Sequence, residues 1–260
     1  MIHTGPNSKI EYTEKVKAKI NRKQLFIVLS FVFPFFIYGL FHFDLVSSSN
    51  RIVNSDTQSA VALVSSFDSQ GVLISTGSAV LMSPNLLFTN KHVIENSSTI
   101  YLNFKMHPKL SDVEIVAEIL YSANGSSLSE DYAVLRIDPN EDLSPLQFGD
   151  SDLLNNGDLI KGYGYPGLSE NNNIVDFSVS QGIVSNRSFS ADTALLKSSL
   201  DLFSGNSGGP ALNLDDQVIA INTAVSTGKY AGQSFSIKIN HILNDPIIQS
   251  INWSGQQPLE

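Results

Sequence analysis

The chain has 260 residues, of which 42% are hydrophobic and none is cysteine. This length and hydrophobic content predict one or two folded domains and argue against disorder. The absence of cysteine excludes disulfide bonds, thiolate metal sites and a cysteine nucleophile. From residue 25 onward the chain has 10 basic and 23 acidic residues. A segment this acidic repels phosphate backbones, so binding to nucleic acid is not expected.

The first 43 residues have the pattern of a membrane anchor. Residues 1–24 form a tail with six basic and two acidic residues, and residues 25–43 (LFIVLSFVFPFFIYGLFHF) are an uncharged apolar run. As a helix, this run matches the roughly 30 Å hydrocarbon core of a bilayer. A cleavable signal peptide is the alternative, but its apolar region is shorter and a small-residue cleavage site follows it. We therefore predict an uncleaved single-pass helix, with the tail cytoplasmic and residues 44–260 periplasmic or extracellular.

Residues 44–54 are polar and rich in serine, and we interpret them as a tether. Beyond them, short runs rich in Val, Ile, Phe, Tyr and Thr are separated by turn residues. A spacing of about 8 to 12 residues between turns predicts an all-β sandwich or barrel. Apolar residues follow a helical spacing only in 239–251, where Pro246 interrupts the pattern.

Residues 162–167 (GYGYPG) match a glycine-rich pattern that also occurs at dinucleotide sites. In those sites the glycines follow a strand and open a helix. Here Pro166 lies inside the pattern and a loop and a strand follow it. We interpret the segment as a strand that ends in a tight turn, and no nucleotide cofactor is expected.

The stretch FSGNSGGPALN, residues 203–213, places Ser207 among three glycines and a proline. A surface turn is the ordinary interpretation, because Gly, Asn, Ser and Pro dominate turns. The alternative is a serine presented as a nucleophile, which needs a base and an acid elsewhere in the chain.

The base candidate is His92, which stands between an apolar strand and a polar turn in LLFTNKHVIEN. The other four histidines have weaker contexts: His3 lies in the tail, His42 at the membrane edge, His107 in a loop-like segment and His241 in the terminal helix.

The acid candidate is Asp131, directly before the apolar strand YAVLRI. The start of a strand can hold a carboxylate fixed and partly dry, as an acid that orients an imidazole must be. Glu130 would point to the opposite face of an extended chain, and Asp138 lies in a turn one strand later.

Together these blocks resemble those of trypsin-like serine peptidases of the chymotrypsin superfamily, and most of all the bacterial HtrA/Deg branch. TGSAVLMSPNLLFTNKHV, DYAVLRI, GYGYPGL, SGNSGGPALN and VIAINTAV with GQSFSI occur in the family's order between about residues 55 and 245. The resemblance implies a chymotrypsin-like fold of two six-stranded β-barrels with the active site between them. We place the barrels at 55–145 and at 146–260, the second with a C-terminal helix.

The resemblance implies a serine endopeptidase that hydrolyses polypeptides through an acyl-enzyme intermediate, and the apolar run at 25–43 would make it membrane-anchored. His92 would take the proton of Ser207, Asp131 would orient the imidazole, and the N–H groups of Gly205 and Ser207 would form the oxyanion hole. Neither a metal nor an organic cofactor is required. A catalytically inactive binding or scaffold module is the alternative, although all three triad positions are filled.

Two features bear on substrate preference. Asp201 lies six residues before Ser207, the spacing of the pocket-floor acid in trypsins, and alone it favours cleavage after Arg or Lys. Thr223, Ala224 and Val225 stand where trypsins have an open, glycine-lined wall. Val225 would narrow the entrance of the pocket. A narrow pocket favours small or medium aliphatic side chains before the cut, and we adopt that preference.

Two departures from the related enzymes follow from the same comparison. RIVN, residues 51–54, resembles the activation site of animal trypsins, but the new amino terminus would meet the neutral amide of Asn206. An unpaired buried ammonium is strongly unfavourable, so we interpret RIVN as tether. HtrA proteins usually carry a PDZ domain after the protease domain, and we expect none before Glu260.

Overall fold

Two closed, antiparallel β-barrels form most of the described part of the chain, which is residues 55–167, 176–189, 191–225 and 233–254 of a computed structural model. The first barrel has the strand order β1-β2-β3-β6-β5-β4. Its strands are β1 (Val61–Phe67), β2 (Leu73–Ser83), β3 (Leu86–Thr89), β4 (Thr99–Asn103), β5 (Ile115–Ser122) and β6 (Ala133–Arg136).

The second barrel has the strand order β10-β11-β12-β9-β8-β7. Its strands are β7 (Leu159–Gly164), β8 (Ser178–Asn186), β9 (Leu195–Ser198), β10 (Pro210–Leu212), β11 (Val218–Val225) and β12 (Ser234–Lys238). The predicted all-β fold of two six-stranded barrels is therefore confirmed.

The strands form where the apolar pattern of the sequence matches the geometry of a barrel. In β4, Ile100 and Leu102 are buried and their neighbours are partly exposed, because successive side chains point to opposite faces. All four residues of β3 are buried, and this strand pairs with β2 on one side and β6 on the other. Burying each large apolar side chain contributes about 1.5–3 kcal/mol.

Three short helical segments were not predicted. They are α1 (Ser55–Ser59), α2 (Lys91–Ile94) and a 3-10 turn at Leu128–Glu130. Each is shorter than two helical turns, so it cannot show the apolar periodicity by which helices are recognised in a sequence. The 3-10 turn also means that Glu130 does not lie in the extended chain we expected.

The expected C-terminal helix is two helices, α3 (Ile239–Leu243) and α4 (Pro246–Gln249). The break occurs because Pro246 has no N–H to donate and so fits the first position of a new helix. Asp245 caps α4 by accepting a hydrogen bond from the N–H of Ile247 at 2.8 Å. Trp253, just beyond α4, packs on Phe88 of the first barrel with ring centroids 4.9 Å apart.

Within the described ranges, no helix is both long and apolar enough to cross a membrane. The predicted anchor at 25–43, with the tail before it and the tether that includes RIVN, lies outside the described residues.

Candidate active site

His92 and Asp131 form a pair at one end of the first barrel. β3 and β6 are neighbours in register, with Thr89 opposite Ala133, so the residues just outside the two strands lie close together. His92 Nδ1 is 2.6 Å from Asp131 Oδ2, and the backbone N–H of His92 donates to Oδ1 at 2.9 Å. The side chain of Asn90 holds the carbonyl of Asp131 at 2.6 Å.

The hydrogen bonds of this pair determine the imidazole tautomer. Asp131 Oδ2 also accepts the hydroxyl of Thr223 at 2.7 Å, from the second barrel. An ionised carboxylate only accepts hydrogen bonds, so Nδ1 of His92 is the donor. The unprotonated Nε2 of the neutral ring is then able to accept a proton. The Asp131 side chain is 15% exposed and that of His92 is 47% exposed, which leaves the imidazole accessible to a substrate.

Ser207 lies in a turn of the second barrel. Two positions of this turn have a backbone conformation that favours glycine. Gly205 has φ +97° and Gly208 has φ +86°. A Cβ at Gly205 would clash with the carbonyl of Tyr165, and one at Gly208 would clash with the carbonyl of Ser78. The glycines flanking Ser207 are thus required by backbone angle and by close contact, which explains the composition of the stretch.

The turn is attached to the first barrel next to the pair. Ser78, in β2, donates its N–H to the carbonyl of Ser207 at 2.8 Å. The hydroxyl of Ser207 makes a long hydrogen bond of 3.3 Å to the carbonyl of Thr223. Thr223 therefore contacts both the acid and the serine, whereas Ser207 Oγ makes no hydrogen bond to His92 within the part of the chain that the structure describes.

The two predicted oxyanion donors are the N–H groups of Gly205 and Ser207. Among the described residues, neither group donates a hydrogen bond to the protein. The turn before Ser207 is closed by the N–H of Asn206, which donates to the carbonyl of Phe203 at 3.0 Å. A positive φ at the third residue, Gly205, is what a type II turn requires.

A cavity of about 220 Å³ adjoins Ser207. Asp201, predicted at its floor, is exposed and is not among the lining residues, whereas the neighbouring Leu202 is buried and lines it. Thr223 lines the cavity, and the side chains of Ala224 and Val225 lie outside the described part. The described residues that line the cavity are Leu202, Phe203, Ser204, Asn206, Ser207, Asn222 and Thr223.

A second cavity, of about 500 Å³, is lined in part by His92 and Asp131. The other described histidines lie elsewhere: His107 bonds the carbonyl of Asp142 at 2.9 Å, and His241 stands edge-on to Tyr132. Within the described ranges there is no group of three or more His, Asp or Glu side chains placed to hold a metal ion.

Three of these contacts were not anticipated from the sequence, namely those of Asn90 with Asp131, of Thr223 with Asp131 and of Ser78 with the glycine turn. Asn90 and Asp131 lie just outside two paired strands, β3 and β6. Thr223, in contrast, is 92 positions from Asp131 and belongs to the other barrel. A polar residue within a buried strand was the available signal, but such residues also occur for structural reasons alone.

A histidine–aspartate pair on one closed barrel and a glycine-held serine on the other are the arrangement of the chymotrypsin-like class of double-barrel proteins. The chain belongs to the trypsin-like peptidase domain family, whose family model matches residues 77–221. The predicted resemblance to this family and to its HtrA branch is therefore confirmed.

Two curated relatives and one solved structure illustrate the match. The "Probable periplasmic serine endoprotease DegP-like" of Rickettsia prowazekii (strain Madrid E) is 34% identical over 194 residues, which are 70% of this chain and 34% of that protein. The "Serine protease Do-like HtrA" of Bacillus subtilis (strain 168) is 29% identical over 230 residues, 82% of this chain and 48% of that protein.

The solved structure is the HtrA-type protease AlgW with a tripeptide, which is 27% identical and superposes with a TM-score of 0.59. The match covers 76% of this chain and 64% of that chain. The chain spans about a third of the length of DegP-like relatives that it matches.

Proposed function

We propose that the chain is a serine endopeptidase that hydrolyses polypeptides through an acyl-enzyme intermediate on Ser207. The observation that carries the proposal is the 2.6 Å contact of His92 Nδ1 with Asp131 Oδ2 beside the glycine-held turn of Ser207. Asp131 fixes the ring so that Nε2 is the free acceptor, which is the state that a general base needs. Relatives named as serine proteases support the same activity.

In the acylation step, His92 Nε2 takes the hydroxyl proton as Ser207 Oγ bonds to the carbonyl carbon of the peptide. The electron pair of the carbonyl moves to its oxygen, where the N–H groups of Gly205 and Ser207 stabilise the negative charge. The C–N bond then breaks, and the imidazolium gives its proton to the leaving amine. Asp131 stabilises the imidazolium while it exists.

In the deacylation step, water replaces the amine. His92 takes a proton from the water as its oxygen attacks the acyl carbon, and the charge again forms on the carbonyl oxygen. The bond to Ser207 Oγ breaks, the serine recovers its proton from His92, and the carboxylic product leaves. The chain's own residues supply every proton transfer in this cycle, so no cofactor is needed.

The hydroxyl of Ser207 must turn from the carbonyl of Thr223 toward His92 before it reacts. Its present hydrogen bond, at 3.3 Å, is longer than the usual 2.7–2.8 Å and so is easily exchanged. Catalytic hydrogen bonds often tighten only when a substrate binds. The hydrogen bond of Ser207 to Thr223 instead of His92 also favours the alternative, an inactive protease-like binding module. Activity-based labelling distinguishes the two.

We further propose that the cavity beside Ser207 receives a small or medium aliphatic side chain of the substrate. Leu202 gives the cavity an apolar lining, while the carboxylate of Asp201 lies outside it. A volume of about 220 Å³ also suits a side chain of modest size. The second cavity beside His92 leaves room for a polypeptide to continue past the reacting bond.

The cellular setting is also a proposal. Residues 25–43 would anchor the chain, with residues 1–24 in the cytoplasm and the barrels periplasmic or extracellular. Relatives named as periplasmic endoproteases support a periplasmic location.

The decisive experiment is labelling with a fluorophosphonate probe, which forms a covalent bond only with an activated serine. We expect the detergent-extracted full chain to be labelled at Ser207 and to cleave peptides. Ser207→Ala is expected to abolish both, while Ser188→Ala, a change at an exposed serine of the second barrel, leaves both unchanged. A folded wild-type protein that is neither labelled nor active would reject the enzyme in favour of the binding module.

A further inference from the structure

Ser78 lies where β2 of the first barrel meets the glycine turn of the second, and its side chain is fully buried. Each of its polar groups is hydrogen bonded. The hydroxyl donates to the carbonyl of Gly205 at 2.8 Å and accepts from the N–H of Tyr165 at 2.8 Å. The N–H donates to the carbonyl of Ser207 at 2.8 Å, and the carbonyl accepts from Thr89 Oγ1 at 2.7 Å.

The directions of the two oxyanion donors depend on the carbonyl groups that precede them. In a trans peptide the N–H points opposite to the C=O, so a fixed carbonyl fixes the next N–H. The carbonyl of Ser204 precedes the N–H of Gly205, and the carbonyl of Asn206 precedes the N–H of Ser207. Both carbonyls accept backbone hydrogen bonds, of 2.8 and 3.1 Å.

The peptide between Gly205 and Asn206 joins these two units, and rotating it would change both directions. Within the turn, this peptide is held at its N–H, which donates to the carbonyl of Phe203 at 3.0 Å. Gly205 has little conformational preference, so the carbonyl end of the peptide needs a restraint from outside the turn. The side chain of Asn206 is buried but has no hydrogen-bond partner among the described residues, so it supplies none. The carbonyl of Gly205 is held instead by the hydroxyl of Ser78, which is 127 positions away.

We infer that Ser78 is a positioning residue for catalysis, whose hydroxyl holds the Gly205–Asn206 peptide so that the N–H groups of Gly205 and Ser207 converge on one point. The inference rests on the proposed peptidase function. It also gives the first barrel a part in oxyanion stabilisation beyond supplying His92 and Asp131.

Replacing Ser78 with Ala leaves the carbonyl of Gly205 and the N–H of Tyr165 buried without a partner. Leaving such groups unsatisfied is costly, so the turn is expected to rotate toward other partners. Loss of one oxyanion donor typically lowers kcat by about 10²–10³-fold. For a donor that is misdirected rather than removed, we expect roughly a 10- to 100-fold lower kcat. KM should change little, because Ser78 does not line the substrate cavity.

The experiment compares three variants of the full chain with wild type. Ser78→Ala removes the hydroxyl, and Ser78→Cys keeps its volume with a weaker donor, so its kcat should be intermediate. Ser83→Ala is the matched control, because Ser83 is also fully buried in β2 but bonds Asn85, outside the turn. Each protein is measured for kcat, KM, midpoint of urea unfolding and affinity for a peptide trifluoromethyl ketone, whose adduct with the serine carries an oxyanion.

A parallel loss of kcat and of ketone affinity in Ser78→Ala, with Ser83→Ala unaffected, supports the inference. A wild-type kcat in Ser78→Ala overturns it, as does a loss explained by the unfolded fraction that active-site titration reports. Should Ser78→Ala fail to fold, Ser78→Cys decides by the same two measures. Wild-type protein that a fluorophosphonate does not label overturns the proposed function and this inference together. A labelled wild type with an unaffected Ser78→Ala overturns this inference alone.

Discussion

Leu202 and Asp201 are adjacent in sequence, but only Leu202 lines the candidate substrate cavity. Leu202 is 8% exposed and lines the cavity, whereas Asp201 is exposed and its N–H bonds the hydroxyl of Ser180 at 2.7 Å. In an extended segment successive side chains point to opposite sides, so only one of the two can face the cavity. We therefore expect substrate preference at this position to depend on an apolar contact.

We predict that cleavage of a peptide library by the wild type occurs after small or medium aliphatic residues. Asp201→Asn should leave this profile unchanged, because the carboxylate lies outside the cavity. Leu202→Ala should shift the profile toward larger side chains, by roughly 10-fold or more in relative kcat/KM, since one methylene in a pocket is worth about 10–200-fold. A wild-type preference for Arg or Lys that disappears in Asp201→Asn would contradict the assignment.

At the scale of elements, the terminal helices are tied to the first barrel through Asp245. Its carboxylate accepts the phenol hydroxyls of Tyr121 at 2.6 Å and Tyr132 at 2.7 Å. Burial opposes the charged form, but these hydrogen bonds and those from the N–H groups of Ile247 and Ile248 hold the pKa of Asp245 below its ordinary value. The ionised carboxylate is thus the form that stabilises the docked helices.

The two phenols stay protonated over the physiological range. Burial, and then the hydrogen bond to Asp245, raise the pKa of Tyr121 to about 12, and the same causes raise the pKa of Tyr132. A group with a raised folded pKa stabilises fully below its unfolded pKa, about 10 for tyrosine. The phenols therefore contribute up to about pH 10, and the contribution of Tyr121 is lost as the pH rises through about 12.

We predict that Asp245→Asn lowers the free energy of unfolding at pH 7 by about 1.5–3 kcal/mol, the range for hydrogen bonds to a charged group. Because the folded pKa of Asp245 is lowered, its contribution is present above the unfolded pKa of about 3.9 and is lost as the pH falls below it. The difference between variant and wild type should therefore shrink in acid. Trp253, the one tryptophan of the chain, packs on the first barrel and reports unfolding by its fluorescence.

Asp138→Asn is the control for this measurement, because Asp138 is an exposed aspartate of the same barrel. We expect it to change the free energy of unfolding by less than about 0.5 kcal/mol at any pH. A difference between Asp245→Asn and wild type that stays constant from pH 7 to acid would contradict the role given to the carboxylate.

At the scale of the whole molecule, the candidate site exists only where the two barrels meet. His92 and Asp131 belong to the first barrel, and Ser207 and Thr223 to the second. Tyr165 adds a further tie, from its hydroxyl to the carbonyl of Val61 at 3.2 Å. Neither barrel by itself holds all three candidate residues, so we expect activity to require that both are folded and packed.

We also predict that the full chain stays in the membrane fraction during extraction at alkaline pH. Arginines at Phe33 and Phe36 should release it, because each charge at the centre of a span costs about 2.5–3.5 kcal/mol. Leucines at the same two positions are the control and should keep it bound. Wild-type protein that extraction releases would contradict the anchor, and protection of the barrels from added protease in spheroplasts would contradict their orientation.

Local patterns in the sequence predicted an all-β sandwich or barrel and the candidate residues His92, Asp131 and Ser207, and the resemblance to a known family specified the double barrel. Short alternating runs determine strands, and the glycines around Ser207 are needed wherever that turn lies in space. The terminal segment was predicted less well. Pro246 indicated an interruption, but the break into two helices depends on Asp245, whose partners Tyr121 and Tyr132 are 124 and 113 positions away.

Only the tertiary structure decided which of these residues meet. Asp131 contacts His92 across 39 positions, Thr223 contacts Asp131 across 92, and Ser78 holds Gly205 across 127. The sequence by itself determined the residue types and local backbone shapes, because these depend on neighbours along the chain. Hydrogen bonds between distant segments, and the choice of Leu202 over Asp201 for the cavity, depend on barrel closure and packing, which local patterns do not encode.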